Sequence, residues 1–324
     1  MALDQLSFLA SSFQRDIDLS HYSRWKIGGT ARGYCSPKDA EELRRVLAYL
    51  NRHSVPFVVV GDTTNLLFDD GGFDGIILNI GRSFSRFELK DEVVTAGAGW
   101  WVPAFVRKLS NLGLSGLEHA IGIPGTLGGL VTMNGGSQRK GVGDNIVLVR
   151  GLDRSGQDFT FNKAECAFQY RSSRIQREEL IVTEVVLQLS KKNSETIRKE
   201  LLSIIRSRRK KFPIKLPNCG SVFVSNPSMY EKVGPPGHAI EQAGMKGARK
   251  GEAEISPLHA NFIVNRGGAR CEDVLSLIWQ ARNEVYQRTG FLLECEVRHV
   301  GKDGVLLPAH MAAERIFGPL KERR

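Results

Sequence analysis

The sequence predicts an α+β fold built from two or three compact units, and three observations carry that expectation. The first is length: 324 residues exceed what one hydrophobic core usually serves. The second is pattern, since short β-branched runs interleave irregularly with stretches of helical spacing. The third is glycine. Its 34 residues gather in short clusters, the habit of backbone shaped to approach a ligand. The apolar fraction of 41% and charged fraction of 25% are ordinary for a globular chain.

Taken in order, Pro37-Lys38-Asp39-Ala40 opens a helix running to about Arg52, with Leu43, Val46, Leu47 and Leu50 on one face. The run 56–60 (PFVVV) reads as a buried strand stopped by Gly61, and 75–80 and 93–99 read as further strands. Residues 20–80 therefore form a small α/β unit. A second unit, from 82 to 205, holds a helix near 100–112, a Gly-rich segment at 121–136, a hairpin turning at 153–156 and a strand at 180–189. A basic helix and the segment 211–217 mark the next boundary. Beyond it lie a short helix at 238–243, a strand at 260–265 and a long amphipathic helix at 272–289 that stops at Gly290. The run 292–300 (LLECEVRHV) predicts one continuous strand, with Glu294, Glu296 and Arg298 on one face and Leu293, Cys295 and Val297 on the other. The tail after Gly301 has a weak helical pattern.

Several classes are disfavoured. No stretch reaches the roughly 18 apolar residues of a membrane span, and the first 20 residues lack a basic signal-peptide region. The five cysteines (Cys35, Cys166, Cys219, Cys271, Cys295) are scattered and show no C-x-x-C, so neither disulfide framework nor metal site follows and a cytoplasmic setting fits. The net charge of +10 concentrates in 191–215, where ten Lys or Arg face Glu195 and Glu200. Nucleic-acid binding is one reading. A solvated amphipathic helix burying Ile197, Leu201, Ile204 and Ile205 is the better one, because no aromatics interleave with the cations.

Two segments carry chemistry. Gly122-Ile123-Pro124-Gly125-Thr126-Leu127-Gly128-Gly129, followed by Met133-Asn134-Gly135-Gly136, lets backbone N–H groups converge on an anion or a ring. Its spacing is not that of G-x-G-x-x-G, and no G-K-[ST] follows. The cluster Gly61-Asp62-Thr63-Thr64-Asn65-Leu66-Leu67 ends a strand in a polar loop able to hold a pyrophosphate. Read alone, either could be an ordinary turn.

Seven segments in register settle the matter differently. Trp25-x-Ile27-Gly28-Gly29, Gly61-x-x-Thr64-Asn65-Leu66-Leu67, the 122–126 loop with Met133-Asn134, Phe168-x-Tyr170-Arg171-x-Ser173, Asn218-Cys219-Gly220-Ser221-Val222-Phe223, His259-Ala260-Asn261-Phe262 and Glu294-x-Glu296-Val297-Arg298 together resemble the UDP-N-acetylenolpyruvylglucosamine reductases. The short spacing after Arg171 resembles the class lacking a Tyr-bearing insertion. The resemblance implies an α+β, three-subdomain flavoenzyme: a two-part FAD-binding region of the PCMH type at 1–81 and 82–205, a substrate-binding domain at 206–301 and an extension at 302–324. It implies NADPH-dependent, FAD-mediated reduction of UDP-N-acetylglucosamine enolpyruvate to UDP-N-acetylmuramate, in the cytoplasmic synthesis of peptidoglycan precursors for cell wall, cell shape and division. The FAD would be non-covalent and NADPH a co-substrate. Neither nucleic acid nor membrane is expected as a partner.

The resemblance also assigns residues. Arg171, Ser221 and Glu296 are implied as catalytic: Arg171 and Glu296 as the electrophilic pair, Ser221 as proton donor. Gly61, Asp62, Thr63, Thr64, Asn65, Leu66, Gly122, Ile123, Pro124, Gly125, Thr126, Gly128, Gly129, Asn134 and Arg298 are implied for FAD, and Tyr170, Asn218 and Asn226 for substrate. His119 and His259 lie in matching segments without an assigned role, and no metal is expected. Two departures stand out. Where the family reads G-x-G-S-N, this chain has Thr63 and Thr64, and β-branched Thr63 resists a positive φ, which predicts an altered grip on the pyrophosphate. Where the family reads F-[KR]-N-P, this chain has Phe223-Val224-Ser225-Asn226-Pro227. The missing cation is lost or supplied by Lys232 or Lys246. The competing readings are a polyol or sugar oxidase of the same fold and a non-catalytic homologue.

Overall fold

The structure is a computed structural model and describes residues 6–10, 12–225 and 227–322. Chain contacts divide it into two units, each assembled from separated stretches: residues 1–15, 33–62 and 75–208 in the first, and 16–32, 63–74 and 209–324 in the second.

The first unit is built on a five-stranded antiparallel sheet in the order Asp158–Asn162, Ile146–Leu152, Ile181–Gln188, Val93–Gly97, Phe87–Lys90. The central strand Ile181–Gln188 is apolar because it has neighbours on both edges and buries Ile181, Val182, Val185 and Leu187. The hairpin turn at Asp153 forms as expected, with Asp153 Oδ1 accepting from the Ser155 and Gln157 amides. The helix Val102–Asn111 buries Phe105, Val106 and Leu109. Phe57–Val60 pairs in parallel with Phe73–Asn79, Phe57 opposite Ile76 and Val60 opposite Asn79. Helix Ala40–Arg52 begins where Asp39 accepts the Glu42 amide and buries the stripe Leu43, Val46, Leu47 and Leu50. The basic helix is Ser194–Lys211, with Ile197, Leu201 and Ile204 buried.

The second unit packs its core around the helix Cys271–Thr289, which ends at Gly290 with φ +75°. Trp25 is fully buried there, its Nε1 donating to Ile263 O at 2.8 Å. One small sheet joins Arg249–Lys250, Ala253–Ile255 and Ile263–Asn265. The other joins Leu306–Pro308, Arg298–Val300 and Leu66–Phe68, the last pair parallel. The tail beyond Gly301 forms the strand Leu306–Pro308 and the helix Ala309–Phe317. Arg282 of the long helix ion-pairs with Glu314 of the tail.

Three expectations are corrected. The strand at 260–265 is confined to Ile263–Asn265. The run 292–300 is a regular strand only over Arg298–Val300, so Glu294 and Glu296 are not strand residues. The inward alternation survives, with Leu293, Cys295 and Val297 buried. Regular pairing does not, because side chains and loops claim the backbone: His310 Nδ1 accepts from Cys295 N at 2.9 Å and Val222 O from Glu296 N at 2.8 Å. Thr63, expected to resist a positive φ, adopts +52°. All five cysteines are buried and free.

Candidate active site

In the first unit Gly61, at the head of one glycine loop, is pressed against Thr126 of the other. A Cβ on Gly61 would run into Thr126 Oγ1, and one on Gly128 would lie 2.9 Å from Ala98 Cβ. A side chain at Gly61 would push Thr126 away, and one at Gly128 would crowd Ala98, so both positions keep a bare backbone. Gly125 adopts φ +127°, a conformation open to glycine alone. Thr126 then caps the short helix Leu127–Thr132, its hydroxyl accepting the Gly129 amide. Ile123 is half-buried, while Pro124 and Gly129 are exposed. This surface fits the flat ring and pyrophosphate of FAD, which need close backbone approach rather than a deep side-chain cavity.

Asn134 follows with φ +42° and ties three segments. Its amide donates to Gln169 O at 2.8 Å and its Oδ1 accepts from Gly143 N at 3.0 Å. Ser173 Oγ donates to Thr132 O. The 168–173 motif is thus stitched to the Met133-Asn134 motif. Arg171 lies between these stitches with φ +54°, its Nη2 donating to Gly136 O at 3.0 Å. A non-glycine residue held there stores strain that its surroundings must support. Tyr170 is exposed, and its ring stands 5.2 Å from the Arg171 guanidinium.

Arg208 is a residue that no sequence motif marks. It sits half-buried on the basic helix, and a Cβ on Gly122 would collide with its side chain. Burial, with the Arg171 cation as the lesser cause, brings its pKa down to about 10, so it stays charged at neutral pH. A signal was present: 197, 201, 204 and 208 follow helical spacing, so Arg208 continues the buried stripe. As one of ten cations in 191–215 it carries no mark of its own by composition.

In the second unit segments of four motifs share one hydrogen-bond network. Asn65 Nδ2 donates to Glu296 O at 3.0 Å, and Asn65 O accepts from Arg298 N at 3.0 Å. Glu296 N donates to Val222 O, the residue following Ser221. The Cys219 thiol points at Leu66 O, 3.4 Å away. Asn261 grips the same stretch from the other side: its backbone O and Oδ1 accept from Val222 N and Phe223 N, and its Nδ2 donates to Phe223 O. Ser221 and Glu296, 75 positions apart in sequence, are thereby fixed by one backbone junction. Both are half-buried.

Thr63 is 6% exposed, and its hydroxyl donates to Tyr22 O at 2.8 Å and accepts from Arg24 N at 3.2 Å. Those two bonds offset the strain of its backbone. Thr63→Val keeps the branching and removes both of these part-buried bonds. We expect a loss of about 1–3 kcal/mol, read from the urea midpoint of the FAD-loaded protein. An unchanged midpoint would show that the hydroxyl does not hold this loop.

Asn218 is turned into its own loop, donating to Pro213 O and Leu216 O and accepting from Gly220 N. Asn226 lies outside the described residues. Lys246 Nζ is paired with Glu241 at 2.7 Å. Lys232 lines a cavity of about 400 Å³ with Tyr230, His238 and Arg288. Arg298 directs Nη2 to Leu306 O in the tail. Among the described residues, no helix is long and apolar enough to cross a membrane.

Comparison with known proteins shows the family. Residues 212–300 match the family described as UDP-N-acetylenolpyruvoylglucosamine reductase, C-terminal domain, and residues 31–161 match an FAD binding domain. The chain is 46% identical over 302 residues to UDP-N-acetylenolpyruvoylglucosamine reductase 1 of Corynebacterium glutamicum, covering 93% of this chain and 90% of that protein. It is 40% identical over 287 residues to the reductase of Heliobacterium modesticaldum, covering 88% and 90%. The crystal structure of the Thermus caldophilus reductase superposes with a TM-score of 0.76 at 31% identity, covering 89% of this chain and 98% of that one. With glycine loops that bare their backbone in one unit and the Ser221–Glu296 junction in the other, this chain belongs to the UDP-N-acetylenolpyruvoylglucosamine reductase family.

Proposed function

We infer that this chain is an NADPH-dependent, FAD-mediated reductase converting UDP-N-acetylglucosamine enolpyruvate to UDP-N-acetylmuramate, in the cytoplasmic synthesis of peptidoglycan precursors. The observation that carries the assignment of roles is the backbone junction fixing Ser221 beside the Glu296 segment. Bound FAD supplies the hydride-transfer chemistry between NADPH and the enolpyruvyl double bond. Residues 61–66, 122–126, Gly128, Gly129, Asn134 and Arg298 would hold it. The division of residues 1–205 into two FAD-binding halves belongs to the same proposal.

The protein's own contribution follows from the charge that develops. Adding hydride to the terminal enolpyruvyl carbon drives negative charge onto the adjoining carboxylate, which calls for a fixed cation in place beforehand. Arg171 is that cation, held rigid by Gly136 O and its strained backbone. Glu296 assists when protonated or hydrogen-bonded to an arginine, since a bare carboxylate would repel the developing charge. Ser221 delivers the proton to the neighbouring carbon. Tyr170, Asn218 and Asn226 serve the substrate, Asn218 by shaping the loop before Ser221.

An absorbance experiment tests the proposal. Flavin bands should bleach with NADPH and return when the enolpyruvyl nucleotide is added. Neither 61–66 nor 122–129 contains Cys or His to act as a tether, so denaturation and filtration should release all the yellow colour. Colour retained on the protein, with reoxidation by oxygen alone, would instead indicate an oxidase.

A further inference from the structure

Three side chains with no part in this chemistry converge in the second unit. A carboxylate oxygen of Asp69, the Cys271 sulfur and a ring nitrogen of His299 all lie within 4.8 Å of one another. Separate elements deliver them. The strand Leu66–Phe68 runs directly into Asp69, His299 is the middle residue of Arg298–Val300, and Cys271 opens the long helix Cys271–Thr289. Parallel pairing of the two strands puts His299 opposite Leu67, and Asp69 N donates to Val300 O at 3.1 Å.

The carboxylate is held in a particular orientation. Asp69 Oδ1 accepts the Gly71 amide at 2.7 Å, and its carbonyl accepts from Gly29 and Gly72. That leaves Oδ2 turned toward His299 Nε2 at 3.4 Å. The adjacent Asp70 has a different task, capping the helix through the amides of Cys271 and Glu272. Cys271 and His299 are 2% and 7% exposed. His299 Nε2 is buried and makes no hydrogen bond, although buried polar atoms nearly always find a partner. Its contact with Asp69 Oδ2, at 3.4 Å, is an ion-pair distance that does not meet hydrogen-bond geometry. This nitrogen is aimed into the cluster, where its lone pair would serve a cation.

We propose that Asp69 Oδ2, Cys271 Sγ and His299 Nε2 form a site for a divalent ion of the zinc class. The donor set decides the class. Thiolate and imidazole together favour a borderline-soft ion over Mg²⁺ or Ca²⁺, which take oxygen shells. Three protein donors leave one tetrahedral position for water, and the Asp69 side chain, 36% exposed, gives solvent access. Binding releases the Cys271 proton to solvent, because the thiolate is the ligand. The ion would clip two strands to a helix terminus and stabilise the folded unit by mass action. Nothing in this chemistry touches the hydride transfer, so the site is structural or regulatory.

The test uses the FAD-loaded protein stripped with a chelator and desalted. Titration with Zn²⁺ against a chromophoric chelator should show one tight ion per chain and a raised unfolding midpoint. Co²⁺ in its place should give a thiolate-to-metal charge-transfer band. Cys271→Ser and His299→Gln should each weaken Zn²⁺ binding by more than about tenfold, and Cys271→Ser should abolish the band. Failure of the wild-type protein to hold Zn²⁺, absence of the Co²⁺ band, or variants that bind as tightly as wild type would each overturn the proposal. The band is read on the wild-type chain, so the outcome stands even if a variant folds poorly.

Discussion

Ser221→Ala should bleach normally with NADPH and then recolour very slowly when the enolpyruvyl nucleotide is added. Moving a hydride from NADPH to the flavin asks for no proton at carbon, whereas completing the substrate half does. Losing a general acid typically costs about 10²–10⁴-fold, which is roughly 3–5 kcal/mol of barrier. The geometry makes the variant informative, because the backbone around Ser221 is held by Asn261 and Glu296 and not by the Ser221 hydroxyl. The loop should keep its shape when the hydroxyl is removed. Stopped-flow absorbance separates the two phases. Equal slowing of both would make Ser221 a shaping residue, and slowing of neither would make it a turn serine.

Arg171→Ala should leave FAD content unchanged and slow reduction of the enolpyruvyl substrate by about 10²–10³-fold. Its guanidinium is fixed by Gly136 O and stands over Tyr170, so the cation is oriented before substrate arrives. Arg171→Lys should also be poor, since a point charge cannot reproduce a planar fork. Comparing single-turnover rates with flavin occupancy checks both variants. Unchanged turnover in Arg171→Ala would return Arg171 to the ranks of surface cations. Arg208 gives this test a second edge: half-buried beside Gly122 with Arg171 as its neighbouring cation, it would partly cover for the loss, pulling the effect toward the lower bound.

The elements that were legible share one property: their signals are local. Asp39 before Ala40, Gly290 after Thr289 and the turn at Asp153 each act within a few residues, and each formed where expected. The buried stripe of the basic helix was legible for the same reason. The segment 292–297 was misjudged because alternation reports which side chains point inward and says nothing about where the backbone bonds go. There His310 and Val222 claim the amides. Thr63 was misjudged because its intrinsic preference opposes φ +52°, while two bonds to a distant turn enforce it.

The sequence by itself determined the family, the glycine loops and the residue types the chemistry requires, because seven spaced motifs and side-chain character are properties of the chain. Only the tertiary structure decided what holds those residues in place. Asn65, Val222 and Asn261 join segments up to 231 positions apart, and Arg208 reaches Gly122 from a helix that looked merely solvated. The grouping of Asp69, Cys271 and His299 is of the same kind. Such contacts depend on strand register and helix placement, which no local stretch of sequence encodes. The physical reason is that hydrogen bonds and close packing act over a few ångströms in space, whatever the distance along the chain.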